Sequence, residues 1–314
     1  MKYIAACVLL LAAPFASGAA AQDRMSDVQC SGSFDAIAAL VEIPNALPTP
    51  TVDEAGWCLI TDMVVPTSSN SGIRIGALRW RASDMQRFIE DGLPPRALDI
   101  EGTGLGVTVQ TGDDVFDYLL GLQMDQSQMA FGASLRWDGV QNTVTLGSSY
   151  LEFNDTNRIE ATARLEGANL TDLASMQTSL GTAGLRNLMI KSEFDGWFET
   201  HAVVMLGNIL LKSGEGAPQA QVDALKGQVI DVINTLPDVF MPQNSRAALS
   251  AFVESLPSPR GSAQLQLRAD PTLGAVRLGR LASLWRDATA TALVETGLDG
   301  VGVQFTWTAT EGAK

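Results

Sequence analysis

The 314-residue chain is 46% hydrophobic and 18% charged, which excludes a disordered protein and allows a sizeable core to be buried. Its 21 Lys and Arg residues are outnumbered by 35 Asp and Glu residues, and the formal net charge is −14. Nucleic acids and anionic membrane surfaces are bound through basic faces, so the composition argues against both as partners.

The first 21 residues have the pattern of a secretory signal peptide. Lys2 supplies a positive start, Ile4 to Ala13 form an apolar stretch, and Ala19-Ala20-Ala21 is a small-residue cleavage site. We therefore expect export to the periplasm and a mature chain that begins at Gln22. No later apolar stretch reaches the length of a membrane-spanning helix, so we expect no transmembrane segment in the mature chain.

Three cysteines bear on the compartment. Cys7 lies in the predicted leader, where the alternative interpretation is a lipoprotein box that begins at Ile4. Cys30 and Cys58 are then the two thiols of the mature chain, and an even pair in an oxidising compartment predicts a disulfide bond. A redox-active dithiol is the alternative, although such cysteines are usually separated by two residues.

The N-terminal third alternates between helical and extended patterns. Gly76 interrupts the alternation of its strand, which predicts a β-bulge at this position. In chain order, the pattern predicts a helix at Phe34–Val41, strands at Trp57–Val65 and Ile73–Trp80, a brief helix at Met85–Ile89, a strand from Leu98 to Gln110 and a helix at Asp113–Leu122.

The middle third predicts an antiparallel meander. Apolar residues alternate along Met129–Trp137, and two further strands are predicted at Val144–Phe153 and Ile159–Leu165. Each strand has one apolar and one polar set of side chains, which is typical of a sheet with one solvated face. A helix at Leu170–Leu180 and a strand at Leu188–Phe194 follow.

The last third is mostly helical. The segment from Phe198 to Leu211 is apolar on nearly every side, and we expect it to be buried between layers. Strands near both ends of the chain favour one sheet, visited repeatedly, in a single domain at residues 22–314. The other elements predicted here are helices at Pro218–Leu236, Asn244–Val253 and Leu278–Trp285, and strands at Ala263–Ala269 and Val301–Trp307.

The sequence contains few signatures of catalysis. Its one histidine, His201, excludes His-rich metal sites, and we expect this residue to be packed or hydrogen-bonded rather than a ligand. Neither a Gly-x-Ser-x-Gly nor a Ser-x-x-Lys motif occurs. We therefore expect a protein that is not an enzyme and uses no metal or cofactor. A hydrolase with a metal-free pair of carboxylates is one alternative.

Three short motifs each have a chemical alternative. Gly102-x-Gly104-x-Gly106 resembles a dinucleotide loop only superficially, because it lies inside an extended run and no helix begins at its third glycine; this favours a strand with small residues. Asp113, Asp114 and Asp117 favour a helix start over a calcium site, because their spacing is not that of an EF-hand. Asp195-Gly196-Trp197 favours a turn over a binding motif.

The predicted helices are too few to cover the whole apolar face of the predicted sheet. An uncovered apolar face is a binding surface. For the aromatic residues on it, core packing is the alternative interpretation. The inward residues of the meander are the candidate lining of a ligand groove: Met129, Phe131, Leu135, Trp137, Ile159 and Leu165.

The order of several motifs resembles an uncharacterised family of alphaproteobacterial envelope proteins. After the leader come two strands that end in Arg79-Trp80 and Arg136-Trp137, the Asp195-Gly196-Trp197 turn before an apolar helix, and Phe252-Val253-x(3)-Pro257 before a further strand. That family is distantly similar to the AsmA-like group. The resemblance implies a curved sheet with an apolar inner groove and a role in envelope lipid handling.

We therefore predict an α+β fold with a curved, mostly antiparallel sheet and helices clustered in the C-terminal third. The predicted function is that of a non-enzymatic periplasmic protein that binds lipid or another hydrophobic ligand in envelope maintenance. The alternative is a periplasmic scaffold or assembly protein that uses an apolar sheet face to bind an envelope protein.

Overall fold

A computed structural model of the chain describes residues 24–40, 48–68, 70–109, 111–125, 129–154, 156–211, 216–284, 294 and 297–310. The predicted signal peptide lies outside the described residues, together with Cys7 and the expected first mature residue, Gln22. Trp285, the last residue of one predicted helix, also lies outside them. The leader and its cleavage site therefore stay predictions.

Ten strands in the described residues form one open antiparallel sheet. Each strand pairs with its neighbours in the sequence, so that β1 and β10 are the two edges. This confirms the antiparallel sheet and the meander in the middle third. The strands are β1 (Thr51–Val52), β2 (Cys58–Ser68), β3 (Ser71–Ser83), β4 (Ala97–Val109), β5 (Met129–Asp138), β6 (Thr143–Asn154), β7 (Asn157–Glu166), β8 (Gly184–Asp195), β9 (Arg260–Gly274) and β10 (Val301–Ala309).

Helices occur along the whole chain, so the predicted clustering in the C-terminal third is wrong. One helix precedes the first strand, and three connections between strands before residue 184 are helical as well. The helices are α1 (Asp27–Leu40), α2 (Gln86–Asp91), α3 (Asp114–Asp125), α4 (Leu173–Thr182), a π-helical turn (Phe198–Ala202), α5 (Val203–Leu210), α6 (Pro218–Thr235), α7 (Gln243–Ser255) and α8 (Ala275–Leu284).

Local signals in the sequence explain where several helices begin and end. The Asp172 carboxylate accepts a hydrogen bond from the backbone amide of Ser175 at 2.8 Å and so caps the start of α4. Pro218 occupies the first turn of α6, where its missing N–H leaves no acceptor unpaired. Gly92 ends α2 with φ of 67°, a left-handed conformation that glycine adopts without a steric penalty.

The register of the strands divides the sheet into an apolar face and a polar face. Residues that pair across antiparallel strands point to the same side of the sheet. One row of paired residues on the apolar face is apolar from β3 to β10: Ala82, Leu98, Leu135, Leu146, Ala163, Leu188, Leu267 and Val303. An adjacent row, on the polar face, contains Arg136, Thr145, Arg164, Asn187 and Arg268.

Gly76 marks a break in three strands at once rather than a bulge in one. Where β3 pairs with β2 and β4, Gly76, Asp62 and Gly104 all drop out of the pairing, while the register of these three strands is unchanged on both sides. Asp62 and Gly104 have φ of 54° and 67°, so β2 and β4 turn locally into the left-handed region at this level. The predicted bulge with an extra residue on β3 is therefore wrong.

The N-terminal end of the apolar face is closed by α1 and α2. Met25, Phe34 and Met85 pack with Ile60 and Trp80 into a buried cluster, which we call the N-terminal core. The Trp80 indole N–H donates a hydrogen bond to the Ser33 hydroxyl at 3.0 Å, so its polar atom is satisfied inside the core.

A disulfide bond joins α1 to β2. Cys30 and Cys58 are both fully buried, and their Cα atoms lie 5.3 Å apart. This confirms the predicted pairing. Because it links residues 28 positions apart in sequence, the bond fastens the helix to the strand that the N-terminal core covers.

The C-terminal end of the apolar face is covered by α7 and the segment before it. Met241 packs with Ala269, Val301 and Val303 into a second buried cluster, which we call the C-terminal core. The outer edge of β10 is also occupied, because the Val303 amide donates to the Phe240 carbonyl at 2.6 Å. A covered edge cannot pair with another strand, which prevents sheet extension on this side.

Within the described residues, no helix is long and apolar enough to cross a membrane.

Candidate ligand-binding face

All six residues that the sequence predicted as groove lining lie on the apolar face. Phe131 of β5 pairs with Leu151 of β6, which in turn pairs with Ile159 of β7. Val144 links Trp137 to Leu165 in the same way. Met129 and Leu135 lie at alternate positions of β5 and so share this face. The structure therefore brings the six residues together around β6. Val144 and Leu151 of β6 lie between them, and the prediction did not include these two residues.

Burial separates the middle of the apolar face from its ends. Ile60 and Trp80 of the N-terminal core are 2% and 3% exposed, and Val301 of the C-terminal core is 3% exposed. On β5 to β8, which we call the central strands, Phe131 and Ile159 are only half-buried. The other half-buried large residues of the central strands on this face include Met129, Leu135, Leu146, Leu151, Leu165, Leu188 and Ile190.

Phe131 depends on a glycine in the neighbouring strand. A Cβ atom at Gly102 would lie 2.2 Å from ring carbon Cε1 of Phe131, so the ring occupies the space above the glycine backbone. Gly102 lies inside β4, as predicted. Pairing an aromatic ring with a cross-strand glycine restores apolar contact where the glycine has no side chain.

Trp137 differs from the other five residues because it is packed against protein. It is 8% exposed, and its indole N–H donates a hydrogen bond to the Ala168 carbonyl at 2.9 Å. The guanidinium carbon of Arg87 lies 5.0 Å from the centre of its ring, within the range of a cation–π contact. Trp137 therefore closes one end of the central strands and leaves the remaining five residues as the accessible part of the set.

An aromatic cluster lies at the opposite end of the central strands. The rings of Phe153 and Trp197 are 5.1 Å apart, and the Phe194 ring lies 5.4 Å from Phe252 and 6.1 Å from Trp307. These separations are typical of favourable aromatic pairs. The sequence pattern assigned these residues to strands, helices and turns but did not reveal the cluster, because two of its contacts join β8 to residues more than fifty positions further along the chain.

A buried amide holds the turn beside this cluster. Asn157 is 1% exposed, and its side-chain amide donates to the Asp195 carbonyl at 2.9 Å. Its side-chain oxygen accepts from the Asp195 amide at 2.6 Å and from the Trp197 amide at 3.2 Å. Gly196 has φ of 88°, which the tight turn requires. The predicted turn at Asp195-Gly196-Trp197 is confirmed.

The π-helical turn and α5 follow, and α5 is not buried between layers. Ile209 and Leu210 are exposed, whereas Ala202, at the end of the π-helical turn, is buried. The expectation that Phe198–Leu211 is buried throughout is therefore wrong. A helix that is apolar on all sides normally lies inside a protein, so the exposed end of α5 adds apolar surface beside the aromatic cluster. His201 lies in the π-helical turn.

Three charged side chains lie next to the aromatic cluster. Arg260 contacts the Glu199 carboxylate at 2.6 Å and the Asp195 carboxylate at 3.6 Å. Partial burial acts to raise the pKa of Glu199, but hydrogen bonds from its own backbone amide, Arg260 and Ser258 outweigh this effect and hold the pKa below its usual value. Glu199 is therefore ionised at neutral pH and is not poised as a general acid.

The polar face is crossed by ion pairs that hold neighbouring strands together. Asp99 of β4 contacts Arg136 of β5 at 2.8 Å and Arg81 of β3 at 3.3 Å. Arg158 contacts Glu152 at 2.9 Å. Cross-strand pairs of opposite charge stabilise a sheet, so this face has a structural explanation.

The acidic motif at the start of α3 also has a structural explanation. Asp113 accepts hydrogen bonds from the backbone amides of Val115 and Phe116, both at 3.0 Å, and so caps the helix. Hydrogen bonds from the Thr111 hydroxyl and amide lower the pKa of Asp117. The described part of the chain holds no group of three or more His, Cys, Asp or Glu residues arranged to bind a metal ion.

Comparisons with known proteins leave the geometry as the basis for a functional argument. No protein-family model matches the chain, and a search of curated proteins found no significant match.

Proposed function

We propose that this protein is a non-enzymatic periplasmic protein that binds a lipid or another hydrophobic ligand on the apolar face of its central strands. One observation carries the proposal: helices bury both ends of the apolar face, whereas the large side chains on its central strands remain half-buried. Leaving apolar area in water has a free-energy cost, which a hydrophobic ligand would remove by covering that area.

The dimensions of the surface support an acyl chain as the bound group. Neighbouring strands lie about 4.8 Å apart, so four strands form a strip about 15 Å wide. The row that crosses these strands contains Leu135, Leu146, Ala163 and Leu188, without a charged or hydrogen-bonding side chain. An uncharged hydrocarbon fits such a row, and each methylene buried there would contribute about 0.8 kcal/mol to binding.

The disulfide bond supports the proposed compartment. Structural disulfides persist in oxidising environments such as the bacterial periplasm. The buried Cys30–Cys58 bond is compatible with export, and the signal-peptide pattern at the N-terminus favours export.

The proposal is tested by titrating the purified protein with a fluorescent fatty acid. Ile159→Ser and Leu188→Ser place hydroxyl groups on the apolar face of β7 and β8, and Glu160→Gln is the matched control because it lies on the polar face of β7. We expect both serine variants to weaken probe binding about fivefold or more and the control to bind like the wild type. Absence of probe binding by the wild type would contradict the proposal.

Mass spectrometry of the native protein distinguishes this function from the scaffold alternative. Lipid that co-purifies with protein isolated from its own cell envelope would support ligand binding. A protein partner recovered in stoichiometric amount, without lipid, would instead support an assembly role for the apolar face.

A further inference from the structure

Helix α3 exposes an unusually large apolar surface. Five large residues on it are between 46% and 69% exposed, and only Leu120 among the described large apolar side chains of this helix is half-buried. At 100° per residue the five occupy an arc of about 160°, so they form one outward stripe rather than a scatter. The stripe consists of Val115, Phe116, Tyr118, Leu119 and Leu122.

The exposed surface continues from the helix onto the sheet. Val107 and Val109, at the end of β4 that leads into α3, are exposed, and Ile73 pairs with Val107 and is exposed as well. Soluble monomers rarely expose large contiguous apolar patches, and such patches typically mark interaction sites. On β2, the fully buried residues of the N-terminal core extend no further than Met63, so this end of the sheet lies at the margin of that core.

The charged residues that lie near the stripe in the sequence have one sign. The sequence contains no Lys or Arg between Arg96 and Arg136, although six acidic residues lie in this interval, four of them at Asp113, Asp114, Asp117 and Asp125. Helices that lie in membrane interfaces are rich in Lys and Arg, which α3 lacks. A second copy of this chain would bring a further net charge of −14 and the same acidic residues, so charge opposes self-association.

We infer that α3 is a docking site for a protein whose contact surface has an apolar centre surrounded by Lys or Arg side chains. The apolar stripe supplies the water-excluding centre of the interface, and the acidic residues at the start of the helix select a basic rim. This inference rests on α3 and does not depend on ligand binding by the central strands.

The test uses a synthetic helix as the probe. A fluorescein-labelled peptide of about 18 residues, five helical turns, carries a Leu stripe flanked by Lys, and a matched peptide carries Glu in place of Lys. Binding is measured by fluorescence anisotropy. We expect the Lys peptide to bind the protein with an affinity that falls as salt rises from about 0.05 M to about 0.5 M, and the Glu peptide to bind at least about tenfold more weakly.

Variants locate the binding on α3. The substitutions Tyr118→Ser, Leu119→Ser and Leu122→Ser, made together, remove three of the five apolar side chains of the stripe and replace no buried residue. We expect them to weaken binding of the Lys peptide about tenfold or more. The matched control is Val229→Ser with Val232→Ser, because these residues are comparably exposed on α6. An equal effect of both variants would overturn the inference, since it would show only general attraction between a cationic peptide and an acidic protein.

A second measurement does not depend on the serine variants. A photo-crosslinking amino acid at Tyr118 should form an adduct with the Lys peptide, and the same amino acid at Val232 should not. Tight binding of the wild type to phosphatidylcholine vesicles, with no adduct at position 118, would overturn the inference and assign the stripe to a lipid surface.

Discussion

The N-terminal core and the central strands use the same apolar face in different ways. In the core, α1 and α2 cover β2 and β3, so that Ile60, Trp80 and Cys58 are almost inaccessible to water. On the central strands, residues of similar type and spacing, such as Phe131 and Leu135, keep part of their surface exposed.

This difference shows that the hydrophobicity of the side chains and their alternation along a strand do not alone determine which part of a sheet becomes core. Burial requires a second layer, and the chain supplies one at the two ends of the apolar face. The same alternation of side chains therefore stabilises the fold at the ends and leaves accessible surface in the middle. Substitutions at matched positions of the two regions separate these roles.

Trp80→Ala should have the largest effect on stability. The side chain is 3% exposed, packs against Phe34 with ring centres 6.3 Å apart and donates to the Ser33 hydroxyl, which would lose this donor. We expect the free energy of unfolding to fall by about 3 to 5 kcal/mol, measured by chemical denaturation. Val140→Ala, at a 94% exposed position, is the control. A loss below about 1 kcal/mol would contradict the assignment of this end as core.

Removal of the disulfide bond should have the next largest effect. The double substitution Cys30→Ala with Cys58→Ala releases a closed loop between positions 28 residues apart, and we expect a loss of about 3 kcal/mol in the free energy of unfolding. Denaturation of the wild type with and without a reducing agent provides an independent measurement. Free thiols in the native protein, detected by peptide mapping, would refute the pairing.

Phe131→Ala should have a smaller effect on stability and a larger one on ligand binding. Because the ring is half-buried, we expect a loss of about 1 to 2 kcal/mol, together with weaker binding of a fluorescent fatty acid. Gly102→Ala sharpens the test, since its Cβ atom would meet the Phe131 ring at 2.2 Å. That substitution should destabilise the wild type more than it destabilises Phe131→Ala. Equal effects in both backgrounds would show that the ring does not occupy this space.

The smallest expected effect concerns the dependence of stability on pH. The folded pKa of Glu199 lies below its unfolded value, so its contribution is present above about pH 4.3 and is lost as the pH falls through the folded pKa. Glu199→Gln should flatten the stability curve between about pH 5 and pH 3 by less than about 1 kcal/mol, because the side chain is partly exposed. Exposed Glu193→Gln is the control, and identical curves for Glu199→Gln and wild type would contradict the predicted contribution.

Much of the fold could be predicted because its signals are local. Alternation with a period of two predicted β5, β6 and β7, and the turn residues between them predicted that they pair antiparallel. The prediction for Phe198–Leu211 was wrong because burial is not a local property. An apolar segment indicates burial only if another layer covers it, and no local pattern reports whether α5 has such a cover.

The candidate site was predicted in part, because the alternation of side chains is also a local signal. The six residues share one face of the sheet because register transmits the alternation from strand to strand. The sequence did not distinguish Trp137 from Phe131, although the first is buried against Ala168 and Arg87 and the second is half-buried. It also did not connect Phe194 with Phe252, which requires β8 and α7 to meet.

By itself, the sequence determined the described strands other than β1 and the antiparallel meander, because side-chain period and turn residues act within short stretches of chain. It also determined the pairing of Cys30 with Cys58, because these are the only two thiols that follow the predicted leader. Only the tertiary structure decided which part of the apolar face is covered. Coverage depends on where α1, α2 and α7 pack, and that packing follows from contacts between elements far apart in sequence.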